Sequence, residues 1–321
     1  MRNAAPDAAT EPFPPLPPEE WEASKETLHR FAQIVGKVRL ASAPPRNHWW
    51  HVPLYVSTRG LTTGPMPHGY QTFAIDFDFV DHHLTITTSG GDVERFPLEG
   101  LSVARFYEQL FGRLAALGIE VAIDPRPYEL ADREPFPTDT AHAAYDREYV
   151  GRFWRILTEI DAVLQEFSGR FAGKSSPVHL FWHSFDLALT RFSGRRAPDM
   201  PGVDRVTREA YSHEVISFGF WAGDARLRAP AFYSYTAPQP PGLTDQPLRP
   251  ASAFWNTTER GTLALLMYDD LRREASPKTA LLDFFESAYQ GGANTADWDQ
   301  DALRAAIAEL GAARGRPDQT G

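Results

Sequence analysis

The sequence of 321 residues contains no cysteine, which excludes disulfide bridges, thiol catalysis, iron–sulfur clusters and thiolate-bound zinc. It also lacks an apolar run of the roughly 20 residues that a membrane-spanning helix needs. Its first 21 residues, MRNAAPDAATEPFPPLPPEEW, are rich in proline and acid and have no apolar core of the kind found in signal peptides. We therefore expect a cytoplasmic protein without a membrane partner.

Positive charge is also scarce. The chain has 32 Lys and Arg against 42 Asp and Glu, and its formal net charge is −10. Nucleic acids and anionic membrane surfaces both require a cationic face, so we expect neither as a partner. A local basic cluster at Arg191, Arg195 and Arg196 suits only a small anion.

Aromatic residues and proline are plentiful, with 21 Phe, 11 Tyr, 8 Trp and 27 Pro. Apolar residues at 42% and charged residues at 23% are typical of a folded globular protein. The pattern of apolar residues predicts an α+β fold, in which a mostly antiparallel β-sheet packs against long helices.

Changes in composition along the chain predict its organisation. We expect a disordered tail at 1–18, a first α+β half at 19–125, a linker at 126–144, a second half at 145–310 and a tail at 311–321. The clearest predicted strand is TFAIDFDFV, in which Phe73, Ile75 and Phe77 share a face. Alternation predicts a further strand at 119–123. Helical spacing predicts helices within 21–38, 101–117, 149–167, 276–289 and 299–310.

The order helix, strand, hairpin, helix occurs twice, which predicts an internal duplication. A shift of 132 residues aligns five identical pairs, among them Trp50 with Trp182, His51 with His183 and Arg59 with Arg191. In this alignment, however, the apolar residues of the two strands lie on opposite faces: they are at even positions in the first copy and align with the polar face of the second. Either the alignment slips by one residue there, or these strands are buried on both faces.

Three long stretches carry a resemblance to a known family: NHWWHVPLYVSTRGLTT, SPVHLFWHSFDLALTRFSGR and REAYSHEVISFGFW. Over nearly its whole ordered length the chain is similar to a bacterial family described only as a domain of unknown function. The resemblance implies no activity, and the sequence identifies no cofactor.

One candidate site lies in the densest apolar run, SPVHLFWHSFDLALTRFSGRR, where His179, His183 and Asp186 have the spacing HxxxHxxD. On a helix these side chains would share a face, as two histidines and a carboxylate do around zinc or iron. On a strand the two histidines would lie about 13 Å apart. The β-type residues of the aligned segment favour the strand, and the histidines then flank a core element.

A second candidate is the pair His213 and Glu214, which precedes a predicted strand. Either residue could be a general acid or base, or a metal ligand. Alternatively, His213 bonds buried backbone groups and Glu214 pairs with an arginine. Arg59 and Arg191 could each bind a carboxylate or phosphate through two hydrogen bonds. Alternatively, each ties a turn to a nearby aspartate.

These residues support three hypotheses of function. The favoured one is a protein, with or without enzymatic activity, that binds a small molecule, anionic or neutral, in a polar pocket between the two halves. That pocket would be lined by His51, Arg59, His179, Arg191, Trp221 and Tyr233, with His213 and Glu214 as candidate catalytic residues. The second is a metal-dependent hydrolase with His179, His213 and Glu214 as ligands. The third is a non-catalytic interaction or scaffold protein.

Overall fold

The computed structural model describes residues 11–224, 227–259 and 261–306. Over these residues the chain has six α-helices and two antiparallel six-stranded sheets, which confirms the α+β class. The helices are α1 (Pro18–Ser42), α2 (Val103–Ala116), α3 (Arg147–Gly169), α4 (Arg205–Ala210), α5 (Tyr268–Leu271) and α6 (Pro277–Thr295). The strands are β1 (Tyr55–Ser57), β2 (Gly60–Thr62), β3 (Met66–His68), β4 (Gln71–Asp78), β5 (His83–Thr88), β6 (Val93–Pro97), β7 (His179–Phe181), β8 (Asp186–Arg196), β9 (His213–Trp221), β10 (Ala231–Ala237), β11 (Phe254–Thr258) and β12 (Gly261–Met267).

The first sheet has the order β1-β2-β4-β5-β6, with β3 also paired to β4, and the second has the order β11-β12-β10-β9-β8-β7. In β4 the alternation read from the sequence is confirmed, since Phe73, Ile75 and Phe77 are buried while the residues between them are less so. Ile75 lies opposite Ile86 of β5, and such apolar pairs across strands stabilise the sheet.

The described chain divides into two compact units, and neither is a continuous stretch of sequence. The first unit runs to Glu159 and also contains His179–Leu187 and Trp221–Pro230. The second contains Ile160–Val178, Ala188–Phe220 and the chain from Ala231 onward. These bounds differ from the predicted halves at 19–125 and 145–310, because packing joins distant segments that composition cannot connect. The internal duplication stays a prediction.

Helix α1 is buried on every side, and each residue from Thr27 to Arg39 is inaccessible to solvent or nearly so. Its polar side chains bond to loops of the first unit. Lys25 Nζ donates to the Gly223 carbonyl at 2.9 Å, and His29 Nε2 donates to the Trp182 carbonyl at 2.9 Å. Buried polar groups must be hydrogen-bonded, so these contacts allow a polar helix to form the core of the unit.

Two predicted elements are wrong. Residues 119–123 form no strand, because Ile119 N instead donates to the Leu114 carbonyl and completes the end of α2. Residues 299–306 form turns and one isolated bridge from Arg304 to Phe171, where a helix was expected. Residues 307–310 of that expected helix lie outside the described residues.

The predicted tail and linker are packed where the structure describes them. Phe13 and Leu16 are buried, so the apolar residues of the proline-rich segment find a place in the core. In the segment 126–144, Phe136 and Asp139 are buried, and Asp139 accepts from His142 Nδ1 at 2.8 Å. Across the described ranges, no helix combines the length and the apolarity needed to cross a membrane.

Candidate functional site

The strongest candidate site surrounds Arg191, which lies in the middle of β8 and is 1% exposed. Its guanidinium carbon lies 3.4 Å from the ring centre of Phe167, 4.5 Å from that of Tyr289 and 4.9 Å from that of Phe171. The charge thus lies in an aromatic cage built by α3, α6 and the loop after α3. Contacts of a cation with aromatic rings are worth about 0.5–2 kcal/mol each.

The hydrogen bonds of Arg191 leave its charge unmatched. One Nη donates to the Phe167 carbonyl, while Nε has no hydrogen-bond partner among the described residues. No carboxylate in the described chain lies within 4.0 Å of its nitrogens. Burial lowers the pKa of Arg191 to about 10, so the side chain remains a cation at neutral pH. Glu286 is near enough to raise this pKa but makes no ion pair with Arg191. A buried charge without an ion pair costs several kcal/mol, so the group requires an explanation.

Arg191 lines a cleft of about 670 Å³ in the second unit. Arg170 spans one side of it, because its two Nη atoms lie 2.5 Å from Glu166 and 3.2 Å from Glu286. The residues lining the cleft are Gln165, Glu166, Gly169, Arg170, Phe171, Arg191, Glu286, Tyr289, Gln290, Gln300, Leu303, Arg304 and Ala305. A volume of roughly 300–1,000 Å³ is typical of small-molecule sites.

The first unit holds a second polar cluster, around His179. This histidine is 1% exposed at the start of β7, and its Nδ1 has no partner among the described residues. Burial and the nearby charge of Arg39 lower its pKa to about 3, so the imidazole is neutral. The Arg39 guanidinium lies 5.3 Å from the Tyr55 ring centre, and the Tyr55 and His179 rings are 6.4 Å apart.

The HxxxHxxD residues lie on a hairpin, so their helical alternative is wrong. His179 lies in β7, His183 in the turn, and Asp186 begins β8. Phe185 in that turn has a φ of 56°, a left-handed conformation that interrupts any helix. Within the described residues, no three histidine, aspartate or glutamate side chains are grouped to hold a metal ion.

A comparison with family models gives one match, to DUF5996, a family of unknown function, over residues 13–305. The chain belongs to DUF5996. No curated protein and no solved structure matches it. Membership of DUF5996 confirms the resemblance read from the three motif stretches, and it assigns no activity to any residue.

Other residues singled out in this DUF5996 chain have partners of their own. Arg59 is exposed and contacts Asp78 at 2.6 Å and Asp81 at 2.8 Å, as expected of an arginine that ties a turn. His51 is buried in the first unit, where its Nδ1 accepts from a backbone N–H at 3.1 Å. Trp221 belongs to the first unit and Tyr233 to the second.

The pair at the start of β9 also has partners within the second unit. Glu214 accepts from Ser193 Oγ at 2.9 Å and pairs with Arg195 at 2.8 Å. His213 Nδ1 lies 3.1 Å from Ser212 Oγ. Partial burial and the charges of Lys174 and Arg196 lower the pKa of His213. Neither residue of the pair lines the Arg191 cleft.

Sequence reasoning found Arg191 but missed the rest of its surroundings. Arg170 directly follows α3 and Glu286 lies in α6, where each resembles any solvated surface charge in the sequence. Arg39 was missed because it lies in the last turn of a helix whose burial cannot be read from its polar composition. Only the fold brings these groups next to the apolar run.

Proposed function

We propose that this DUF5996 protein binds a small anionic molecule in the cleft around Arg191. The observation that carries the proposal is a fully buried guanidinium that lines a cleft and has no carboxylate partner in the described chain. A ligand carboxylate or phosphate would supply the missing charge and accept from Nε. Charge-assisted hydrogen bonds of this kind are about twice as strong as neutral ones.

A purely structural role explains Arg191 less well. Burying a charge is more costly than filling the same volume with an apolar side chain such as methionine. The aromatic cage could pack against a methionine without leaving any nitrogen unpaired. A cation that is retained in an apolar cage beside a cleft therefore suits binding better than packing.

The proposal assigns binding and names no reaction. Every lining residue of the cleft belongs to the second unit, so this site differs from the pocket between two halves expected from the sequence. A cytoplasmic location stays a prediction, and a small metabolite is the partner that we expect there.

The proposal is tested by thermal shift and calorimetry with acetate, gluconate, benzoate, sulfate and phosphate. We expect at least one of these anions to stabilise the protein and bind. Arg191→Met should weaken that binding by about 10-fold or more, since hydrogen bonds to charged groups contribute about 1.5–3 kcal/mol. Arg191→Lys keeps the charge and should retain part of the affinity.

Arg105→Gln is the matched control, because Arg105 is an exposed arginine of α2 paired with Glu108. This variant should bind as the wild type does. The proposal fails if no anion binds, or if folded Arg191→Met binds with unchanged affinity.

A further inference from the structure

We infer that the ligand of the Arg191 cleft is a hydroxylated monocarboxylate, such as a sugar acid, rather than a phosphate ester. This inference rests on the proposed function and narrows it to a chemical class. Three features of the cleft carry it: the balance of charge, the contacts of Arg191 and the amides along the wall.

The charge balance of the cleft favours a single negative charge. Its lining contains three arginines, Arg170, Arg191 and Arg304, and two glutamates, Glu166 and Glu286, and these charges differ in how they are paired. Arg170 contacts both glutamates, whereas Arg191 has no acid within ion-pair distance among the described residues. The third arginine, Arg304, is paired with Asp301, since its Nη2 lies 3.7 Å from Asp301 Oδ1. One ligand carboxylate would therefore match the one unmatched guanidinium.

A phosphate ester fits this balance poorly. It carries a charge of about −1.5 to −2 at neutral pH. Glu286 is near enough to Arg191 to raise its pKa, so a second negative charge on the ligand would face a carboxylate already in place. The electrostatic cost of two like charges in a partly buried cleft disfavours phosphate.

The contacts of Arg191 limit how an anion can approach. One face of the guanidinium is covered by the Phe167 ring at 3.4 Å, and one Nη is engaged by the Phe167 carbonyl. Nε, on one edge of the guanidinium, is buried and has no hydrogen-bond partner among the described residues. A planar carboxylate is suited to such an edge, because its oxygens lie in the plane of the guanidinium.

The wall of the cleft favours a ligand rich in hydroxyl groups. Gln165, Gln290 and Gln300 all line it. Gln165 bonds to Asp161 and Gln300 Nε2 donates to Asn294 Oδ1 at 2.5 Å, and because an amide has two donors and an acceptor, each keeps groups that a ligand can use. A hydroxyl group likewise donates and accepts, so it matches an amide in either orientation. An aliphatic acid would leave these amides without ligand partners.

The test compares gluconate with three analogues by calorimetry on the full chain: hexanoate, glucose 6-phosphate and glucose. We expect gluconate to bind, and to bind at least about 10-fold more tightly than hexanoate or glucose 6-phosphate. Glucose, which has no charge, should show no binding. Arg191→Met should abolish the difference between gluconate and glucose.

A second variant tests the amide wall separately from the charge. Gln290 is exposed on α6, so Gln290→Met should fold normally. We expect Gln290→Met to weaken the binding of gluconate several-fold and to leave the binding of hexanoate unchanged. The control is Gln71→Met, at an exposed position of β4, which should alter neither affinity.

The possible results distinguish a failure of the hydroxylated-monocarboxylate class from a failure of anion binding itself. If glucose 6-phosphate binds most tightly and Arg191→Met loses that binding, the ligand is not a monocarboxylate. The same result would still support an anion site at Arg191. Equal affinity for hexanoate and gluconate would overturn the hydroxylated class. Failure of every anion to bind would overturn the proposed function and this inference together.

Discussion

At the scale of single residues, the protein is distinguished by buried ionisable side chains that make no ion pair among the described residues. Arg191 remains a cation because its pKa, although lowered to about 10, stays far above neutral pH. His179 and His29 take the opposite course, since burial lowers their pKa values to about 3 and about 4 and keeps both rings neutral. The intrinsic pKa of each residue type decides which outcome burial produces.

Replacing His179 with phenylalanine should reduce the sensitivity of the protein to acid. The pKa of this histidine is about 3 in the folded chain and about 6.5 in the unfolded chain. Between these values the unfolded chain binds a proton that the folded chain does not. The free energy of unfolding therefore falls as the pH drops below 6.5, by up to about 1.4 kcal/mol per pH unit for one histidine.

Urea unfolding at several pH values between 5 and 6 measures how the free energy of unfolding falls with pH. This fall should be shallower for His179→Phe than for the wild type. His29, whose pKa burial lowers to about 4, contributes to the pH dependence that remains. Above pH 7 the two proteins should show parallel profiles, which is the internal control. Identical slopes below pH 6.5 would mean that His179 binds a proton as readily in the folded chain as in the unfolded chain.

At the scale of elements, α1 depends on a close approach of another segment. A Cβ on Gly36 would lie 2.1 Å from the Trp182 ring, so the absence of a side chain there allows the indole to pack against the helix backbone. The indole is fixed in place, because it is 5% exposed and its Nε1 donates to the Val52 carbonyl at 3.0 Å. Helix propensity would favour alanine at this position, and packing overrides it.

Gly36→Ala should destabilise the protein by about 1–3 kcal/mol, the usual cost of adding a methyl group to a filled core. Gly112→Ala is the matched control, because Gly112 lies in α2 with open space around the position of its missing Cβ. That variant should gain about 0.5–1 kcal/mol from helix propensity. Urea unfolding measures both. Stabilisation by both substitutions would show that Trp182 does not pack against α1.

At the scale of the whole molecule, the two units are assembled from separate stretches of chain. The first unit needs His179–Leu187 and Trp221–Pro230 in addition to the chain up to Glu159. Those stretches supply the carbonyl groups that accept from His29 and Lys25 on α1. Leu54 and Leu180 exchange both backbone hydrogen bonds, at 2.9 and 2.7 Å.

A fragment containing residues 1–159 alone should therefore fail to fold. Each buried polar group left without its partner costs about 1–3 kcal/mol, and a whole domain is stable by only about 5–15 kcal/mol. The fragment should give poorly dispersed NMR amide signals and rapid proteolysis, whereas the full chain resists both. A dispersed spectrum with cooperative urea unfolding would show that the added stretches are dispensable.

The sequence by itself predicted the α+β class, the strand β4 and the long helices α1, α2, α3 and α6. These elements follow from local periodicity, because side chains alternate along a strand and recur every three to four residues along a helix. It also identified Arg191 as a candidate anion-binding residue, because it follows apolar strand residues beside a glycine-containing turn and aligns with Arg59. The family resemblance was likewise present in the sequence.

Only the tertiary structure decided the composition of the two units and of the candidate site. The partners of Arg191 come from segments about 20 to 100 residues away, such as Phe171 and Tyr289, and no local pattern connects them. The burial of Phe136 in an expected linker and the turns at 299–306 were decided in the same way. Periodicity reports which face of an element is apolar, whereas the identity of the surface that covers it depends on contacts formed across the whole chain.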